Sequence, residues 1–179
     1  MALFTQKDAI KSDRIYEGGI INLRVDALRL ADGQSTTREV VEHNGGVVIA
    51  CRPKPHQIIL IRQYRYSIDH DLLELPAGRI EKGEKPLAAA QRELTEETGY
   101  RATNWKELAQ MYTAPGFTNE LLYLYEANEV IFVGKNLDHD EETDVIELDI
   151  EEAWRWVAQG KIRDAKTIAG VGLLHAAPV

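Results

Sequence analysis

The sequence predicts an α+β protein or a three-layer sandwich, because strand-like stretches dominate it and helix-like stretches are few. Hydrophobic residues form 44% of the 179 residues and charged residues 28%, which is an ordinary composition for a globular protein. This length fits one domain, or one domain with an additional N-terminal element. We expect an N-terminal β element over residues 1–43 and a main domain over residues 44–179.

The predicted strands are separated by turn residues along the whole chain. The first alternates apolar and polar side chains through Leu23, Val25 and Ala27, which is the period of a half-buried strand. The letters ADGQ predict the turn of a hairpin, and residues 1–13 are expected to form a loose or short helical lead-in. The expected strands are residues 15–30, 36–43, 46–51, 57–66, 71–76, 105–113, 120–130 and 144–150.

Helices are predicted in the second half of the chain. The first follows a glycine-bounded loop, residues 77–85, and Pro86 suits its first turn while Gly99 suits the position after its last. Asp149 and Glu152 resemble a capping box at the start of the second helix. The expected helices are residues 86–98, 151–160 and 164–177.

The charge and the cysteine content narrow the functional classes. A net charge of −8 argues against a nucleic-acid partner, because binding to the phosphate backbone depends on Lys and Arg. An anionic substrate would require a local counter-charge such as a divalent cation. The chain has no apolar run of about 18 residues, so no membrane segment is expected. The only cysteine, Cys51, is interpreted as a buried thiol at a strand end, and the expected compartment is the cytoplasm.

The helix over residues 86–98 carries an unusual number of carboxylates. Glu93 and Glu97 lie one turn apart and about 40° apart around the helix axis. Leu87, Ala90 and Leu94 line a different face, which we expect to pack on a sheet. Clustered carboxylate oxygens are the ligands that Mg²⁺ prefers, and Mn²⁺ is also possible. The sequence therefore predicts a metal-binding face on this helix.

The alternative for these carboxylates is a solvated helix face, which is common on charged helices. Like charges one turn apart destabilise a helix by roughly 0.2–0.5 kcal/mol per pair, so a functional reason is favoured. Arg92 can orient a carboxylate through a bidentate ion pair. A further glutamate, Glu84, lies in the loop before the helix and also favours a metal site.

The loop and helix together resemble the signature of the Nudix hydrolases. Gly78 is followed by five residues, then Glu84, then seven residues, and then the letters RELTEETGY, which end at Tyr100. Only Tyr100 departs from the signature, in which an aliphatic residue is usual. The resemblance implies a Nudix-type α/β/α sandwich with a mixed central sheet and an N-terminal antiparallel β-sheet element. It also implies metal-dependent cleavage of a diphosphate that is linked to another group.

The resemblance also assigns roles to residues of this signature segment, residues 78–100, which we call the box. Arg92 and Glu96 are the expected catalytic residues within it, and Glu84 would brace the site together with Arg92. The expected metal ligands are the carbonyl of Ala77 and the carboxylates of Glu93, Glu96 and Glu97.

Segments outside the box resemble the ADP-ribose pyrophosphatase group of this family. Pro115 lies sixteen residues beyond Gly99, and a proline there is similar to the marker of that group. The letters REVVEHNGGVVIA, LIRQYRY, LLELPAG and EEAWRWVAQGKIRDAKTIAG are also similar to it. ADP-ribose is therefore the expected substrate. The alternative is a pyrophosphatase for another nucleoside diphosphate sugar, such as GDP-mannose. A third hypothesis is a non-catalytic nucleotide-sugar sensor.

Residues outside the box are the candidates for binding the substrate. Arginine side chains match phosphate oxygens, and a carboxylate such as Glu39 can accept from a base amino group. The plain alternative for these groups is surface charge on strands, and for Pro115 a tight turn. The expected substrate-binding residues are Arg38, Glu39, Arg65, Arg79 and Pro115. The resemblance further implies a homodimer that exchanges its N-terminal strands.

The general base is expected outside the box, in the acidic loop LDHDEETDVIEL. Related enzymes carry a mobile loop with a glutamate at this place. Glu141 corresponds best to that glutamate and Glu142 is the next candidate, whereas His139 is a weaker one. The alternative for this loop is a solvated acidic turn.

Overall fold

A computed structural model describes residues 4–135 and 143–177. Strands prevail over helices in the described part of the chain, as the sequence predicts. The strands are β1 (Ala9–Glu17), β2 (Asn22–Arg29), β3 (Ser35–Glu42), β4 (Gly46–Cys51), β5 (Gln57–Arg65), β6 (His70–Glu74), β7 (Ala77–Arg79), β8 (Tyr100–Tyr112), β9 (Leu121–Phe132) and β10 (Asp144–Asp149). The α-helices are α1 (Pro86–Thr98), α2 (Ile150–Ala158) and α3 (Ala165–Ala176).

The chain forms two compact units. The first contains residues 1–45 and 112–121, and the second contains residues 46–111 and 122–179. The division into a β element over residues 1–43 and a main domain over residues 44–179 stays a prediction.

The first unit contains an antiparallel sheet in the order β1-β2-β3. Polar side-chain pairs connect its strands. Asp26 on β2 is buried, and its carboxylate accepts a hydrogen bond from the hydroxyl of Ser12 on β1 at 2.6 Å. Arg24 donates to Asp26 and also pairs with Glu42 on β3. A loose or short helical lead-in was predicted over residues 1–13. A 3₁₀ turn does form over Gln6–Asp8, but the prediction is wrong after it, because the strand β1 begins at Ala9. β1 has almost no buried side chain, so it lacks the apolar alternation that predicts a strand.

The second unit is a layered sandwich around a mixed sheet. β4 pairs in parallel with β9 and antiparallel with β7, and a second sheet has the order β10-β5-β6. Alternate residues of β4 point to opposite faces, so Val47 and Ile49 pack with α1 while Val48 and Ala50 pack with α2 and α3. This arrangement confirms the predicted α/β/α sandwich with a mixed central sheet.

The helix predicted over residues 86–98 is confirmed. Pro86 begins α1, and Gly99 follows it with a positive φ of 74°, the left-handed conformation that glycine adopts without strain. The predicted packing face is partly wrong, because Leu87 is 39% exposed and Ala89 is buried beside Ala90 and Leu94. Ala89 lies about 100° from Ala90 around the helix axis, so the packed face of α1 is wider than predicted.

Two further local predictions need correction. The loop predicted over residues 77–85 begins with the short strand β7, which continues the sheet from β4. The capping box predicted before α2 does not form: Asp149 caps the helix by accepting from the N–H of Glu151. The side chain of Glu152 instead accepts from Trp156 and pairs with Arg155. Among the described residues, no helix is both long and apolar enough to cross a membrane.

Candidate hydrolytic site

Glu97 joins the box helix to the strand β7. Its side chain is buried and accepts from the backbone N–H of Ala77 at 2.9 Å. Ala77 lies opposite Val48 in the pairing of β7 with β4. The neighbouring residues Pro76 and Ile49 are joined by a hydrogen bond from the N–H of Ile49 to the carbonyl of Pro76. Since hydrogen-bonded pairs alternate in an antiparallel ladder, Ala77 directs both its N–H and its carbonyl away from β4. The carbonyl of Ala77 therefore lies on the strand edge that Glu97 contacts.

Gly78 allows the close approach of Glu93 to the same strand. A Cβ atom at residue 78 would lie 1.9 Å from the carboxyl carbon of Glu93, a distance that no real side chain tolerates. The glycine at this place is therefore required by the carboxylate and not by a positive φ, since its backbone is part of β7. Glu93 and Glu97 thus both lie against the segment from Ala77 to Gly78.

Arg92 holds three glutamates of the box. Its NH1 donates to Glu93 at 2.7 Å and to Glu96 at 2.9 Å, and its Nε and NH2 each lie 3.1 Å from an oxygen of Glu84. NH2 also donates to the backbone carbonyl of Arg79 at 3.0 Å. The hydrogen bond from Arg92 holds the pKa of Glu84 below its ordinary value, and the same pairs raise the pKa of Arg92. Arg92 therefore fixes the orientation of the carboxylates around it.

The charge balance of the box favours a cation. Arg92 pairs with three carboxylates, Glu84, Glu93 and Glu96, and the buried carboxylate of Glu97 lies one helical turn from Glu93. Within residues 4–135 and 143–177, no three His, Cys, Asp or Glu side chains form a group arranged to hold a metal ion. The chemistry of the donors nevertheless fits Mg²⁺ or Mn²⁺, because carboxylates and a backbone carbonyl supply hard oxygen ligands. Because Gly78 has no side chain, the carboxylate of Glu93 can approach β7, which Glu97 also contacts and which contains the carbonyl of Ala77.

A second charged group centres on Glu74, the last residue of β6. Its side chain is 1% exposed, and Arg65 binds it with a two-pronged contact, Nε to Oε1 and NH2 to Oε2, at 2.7 Å each. Lys166 of α3 contacts the same Oε2. Burial favours a raised pKa of Glu74, but Arg65 and Lys166 outweigh it and hold the pKa below its ordinary value. The predicted substrate residue Arg65 is therefore part of an ion-pair network around a buried carboxylate.

The first unit contains a cavity of 330 Å³ that brings together three predicted substrate residues, Arg38, Glu39 and Pro115. The guanidinium of Arg38 lies 4.5 Å above the ring of Phe4 and donates to the carbonyl of Thr37 at 2.6 Å. The other lining residues are Thr5, Gln6, Asp26, Leu28, Val40, Gly116, Phe117, Thr118 and Asn119.

Other predicted residues fall elsewhere or outside the described residues. Arg79 lies on β7 with an exposed side chain. Glu141, Glu142 and His139 lie outside the described residues, so the prediction that this loop supplies the base is unchanged. Cys51 is fully buried, as predicted, and burial raises the pKa of its thiol to about 12.

Sequence reasoning missed three residues that the structure places in these groups: Glu74, Lys166 and Phe4. Glu74 had a usable signal, because a charged residue inside the apolar letters DLLELP needs a buried partner. Lys166 had none, since its partner Glu74 lies 92 residues away along the chain. Phe4 had none either, because its neighbours in the cavity come from separate segments.

Comparisons with known proteins agree with this fold. The NUDIX domain model matches residues 42–171. A crystal structure of an ADP compounds hydrolase has a TM-score of 0.82 and 20% identity, and the match covers 93% of this chain and 91% of that chain. At this identity the likeness concerns the fold.

Three curated relatives match almost the whole chain. The methanol dehydrogenase activator of Bacillus methanolicus is 38% identical over 97% of this chain and 94% of its own. The ADP-ribose pyrophosphatase of Bacillus subtilis is 35% identical over 95% of this chain and 93% of its own. That of Mycobacterium tuberculosis is 40% identical over 94% of this chain and 83% of its own. The chain therefore belongs to the Nudix hydrolase family. Nudix hydrolases generally use divalent metal ions.

Proposed function

We propose that this enzyme hydrolyses the diphosphate bond of ADP-ribose, or of a similar nucleoside diphosphate sugar, to a nucleoside monophosphate and a sugar phosphate. The observation that carries the proposal is the box, in which Arg92 orients glutamates beside the Ala77–Gly78 edge. The pyrophosphatase names of two relatives support the choice of ADP-ribose.

Glu93 and Glu97, with the carbonyl of Ala77, would hold Mg²⁺ or Mn²⁺, and Glu96 is the further ligand. When bound, the cation would neutralise the diphosphate and polarise its phosphorus toward attack. Arg92 would keep Glu93 and Glu96 in place through the hydrogen bonds described above. Arg65 and Arg79 would bind phosphate oxygens through their N–H groups.

The cavity of the first unit would bind the nucleoside end of the substrate. Its volume of 330 Å³ falls at the lower end of the range for small-molecule sites. The ring of Phe4 offers an apolar face to a base, and Glu39 offers an acceptor for an exocyclic amino group. Arg38 is already held by Thr36 and Thr37, so its guanidinium is oriented before a ligand binds. Pro115 would shape the cavity wall.

Glu141 of the acidic loop would act as general base on the attacking water, with Glu142 as the alternative. A positioned base contributes about 10²–10⁴ to the rate. Glu141→Gln should therefore lower kcat by about that factor, with little change in substrate affinity. A large loss in Glu142→Gln and none in Glu141→Gln would move the assignment by one residue.

We also propose a homodimer with exchanged N-terminal strands, in the cytoplasm. Ile10, Ile15, Tyr16 and Ile20 are each more than half exposed in the first unit, which supports a protein interface there. The buried free Cys51 is compatible with a reducing compartment. Light scattering should give twice the monomer mass, and deletion of residues 1–43 should reduce substrate affinity. A monodisperse, fully active monomer would contradict the dimer.

The decisive experiment is a substrate panel with Mg²⁺ and Mn²⁺ that contains ADP-ribose, GDP-mannose, other nucleoside diphosphate sugars and dinucleotides. ADP-ribose should give the highest kcat/KM, with AMP and ribose 5-phosphate as products. In ¹⁸O-labelled water the label should enter a phosphate product, because the polarised atom is phosphorus. ADP and free ribose as products would show that the diphosphate bond stays intact and would refute the proposed reaction, and label in the ribose would show attack at carbon. Binding without turnover would indicate a sensor.

A further inference from the structure

Glu74 is a buried carboxylate that the proposed hydrolysis does not use. Its side chain is 1% exposed, with Arg65 on one side and Lys166 on the other. A buried charge is costly unless its partners are well placed, and buried ion pairs seldom add net stability over apolar packing. The network therefore calls for an explanation other than stability.

The first turn of α3 fixes this network from a second direction. Lys166 also pairs with Asp164 at 3.0 Å, and Asp164 accepts from the backbone N–H of Thr167 at 2.9 Å. The hydroxyl of Thr167 in turn accepts from the backbone N–H of Leu75 at 2.8 Å. α3 thus binds the side chain of Glu74 and the backbone of the next residue, two residues before Ala77.

Arg65 keeps donors that the network does not use. A guanidinium has five N–H donors, and the contact with Glu74 occupies one on Nε and one on NH2. Within the described part of the chain these are its hydrogen bonds, and its side chain is 36% exposed. Its partner Glu74 lies three residues before Ala77, whose backbone N–H donates to Glu97, so the network adjoins the box. The charge of Glu97 also contributes to the raised pKa of Arg65, after the larger effect of Glu74.

We propose that Glu74 and Lys166 are positioning residues that aim Arg65 at the diphosphate of the substrate, an inference that rests on the function proposed above. Glu74 holds one edge of the guanidinium in a fixed plane and leaves the other edge for an anion. Lys166 shares Oε2 of Glu74, so Glu74 neutralises Arg65 less completely. Asp164 balances Lys166, and the charges alternate along the network.

The test begins with steady-state kinetics of Lys166→Met and Glu74→Gln. The amide of glutamine accepts through one atom only, so the two-pronged contact with Arg65 is lost. KM for ADP-ribose should rise about tenfold, the effect of one charge-assisted contact, while kcat changes less. Lys166→Arg should restore KM. Lys161→Met is the matched control, because Lys161 lies over the ring of Trp156 and not beside Glu74.

A double-mutant cycle separates positioning from a structural role. If Lys166 acts through Arg65, then Lys166→Met should raise KM no further in an Arg65→Ala background. Fully additive effects, or an unchanged KM in both single variants, would overturn the proposal. If Glu74→Gln does not fold, Lys166→Met carries the same cycle.

A substrate-free measurement distinguishes this proposal from the function on which it rests. The Nε–H resonance of Arg65, identified by its loss in Arg65→Ala, should exchange slowly with solvent in the wild type and faster in Glu74→Gln. Lys161→Met should leave it unchanged. Equal exchange rates in the wild type and Glu74→Gln would overturn the proposed holding of Arg65. Failure of the wild type to hydrolyse any panel substrate would instead refute the proposed function, and with it the aim at a diphosphate.

Discussion

Arg92 and Arg65 are both bound by glutamates, but carboxylates outnumber the guanidinium around Arg92, whereas the network of Arg65, Glu74, Lys166 and Asp164 is formally neutral. Arg92 lies among three carboxylates, whereas Glu74 lies between two cations, Arg65 and Lys166. A surplus of carboxylates favours a bound cation, and a guanidinium with remaining donors favours a bound anion. On the proposed function, the group around Arg92 would therefore bind a metal ion and Arg65 would bind the diphosphate.

The two groups also differ in how the chain builds them. The contacts of Arg92 with glutamates span at most eight residues, and they follow from the loop and from helix geometry. Glu74 collects its partners from β5 and from α3, nine and 92 residues away. The first arrangement forms with local structure, whereas the second requires the complete second unit.

The largest expected effect comes from removing the charge of one carboxylate of the box, that of Glu97. Glu97→Gln should lower kcat by more than about 100-fold and weaken Mn²⁺ binding in calorimetry, because it removes a ligand charge and keeps the shape. The fold should be retained, since the amide oxygen can still accept from Ala77. Glu151→Gln, on the exposed side of α2, is the control. Near-normal turnover in Glu97→Gln would remove the case for a metal site.

Arg92→Lys tests whether orientation or charge matters in the same group. Lysine keeps the positive charge but cannot contact Glu84, Glu93 and Glu96 with a rigid fork. We expect metal affinity to fall by about 10–100-fold, the usual effect of losing a group that orients metal ligands. Affinity equal to that of the wild type would mean that charge balance alone is sufficient.

Asp164→Ala and Asp149→Ala compare two helix caps, of which one belongs to the network. Each aspartate accepts from a backbone N–H at its helix start, and loss of such a cap costs about 1 kcal/mol. Asp164 also pairs with Lys166, so its replacement should cost about 2 kcal/mol in urea unfolding. Equal costs would show that the pair with Lys166 adds no stability.

A falling pH should destabilise the protein gradually, because the carboxylates of Glu74 and Glu84 become protonated. The folded-state pKa values of Glu74 and Glu84 are lowered, so each contributes stability that is present above its unfolded value, about 4.3. This stability is lost as the pH falls through the folded values, with a slope of at most about 1.4 kcal/mol per pH unit for each group. Urea unfolding between about pH 3 and 6 should show a shallower slope in Glu84→Gln. An identical slope would contradict a lowered pKa of Glu84.

The α/β/α sandwich was implied by the resemblance to the Nudix signature. The sequence patterns themselves determined the limits of α1 and the set of glutamates around Arg92. These features depend on helix period, on proline and glycine at the helix ends, and on contacts between near neighbours in the chain. The roles of the metal and substrate residues stay predictions. For the acidic loop, the predicted base lies outside the described residues.

Only the tertiary structure decided which distant residues meet. β1 has no apolar alternation because its side chains are exposed, so its strand follows from pairing with β2. The network of Glu74 and the cavity beside Phe4 depend on contacts between segments far apart in the chain. The position of the Ala77 carbonyl depends on the register of β7 against β4, and register is a property of paired strands.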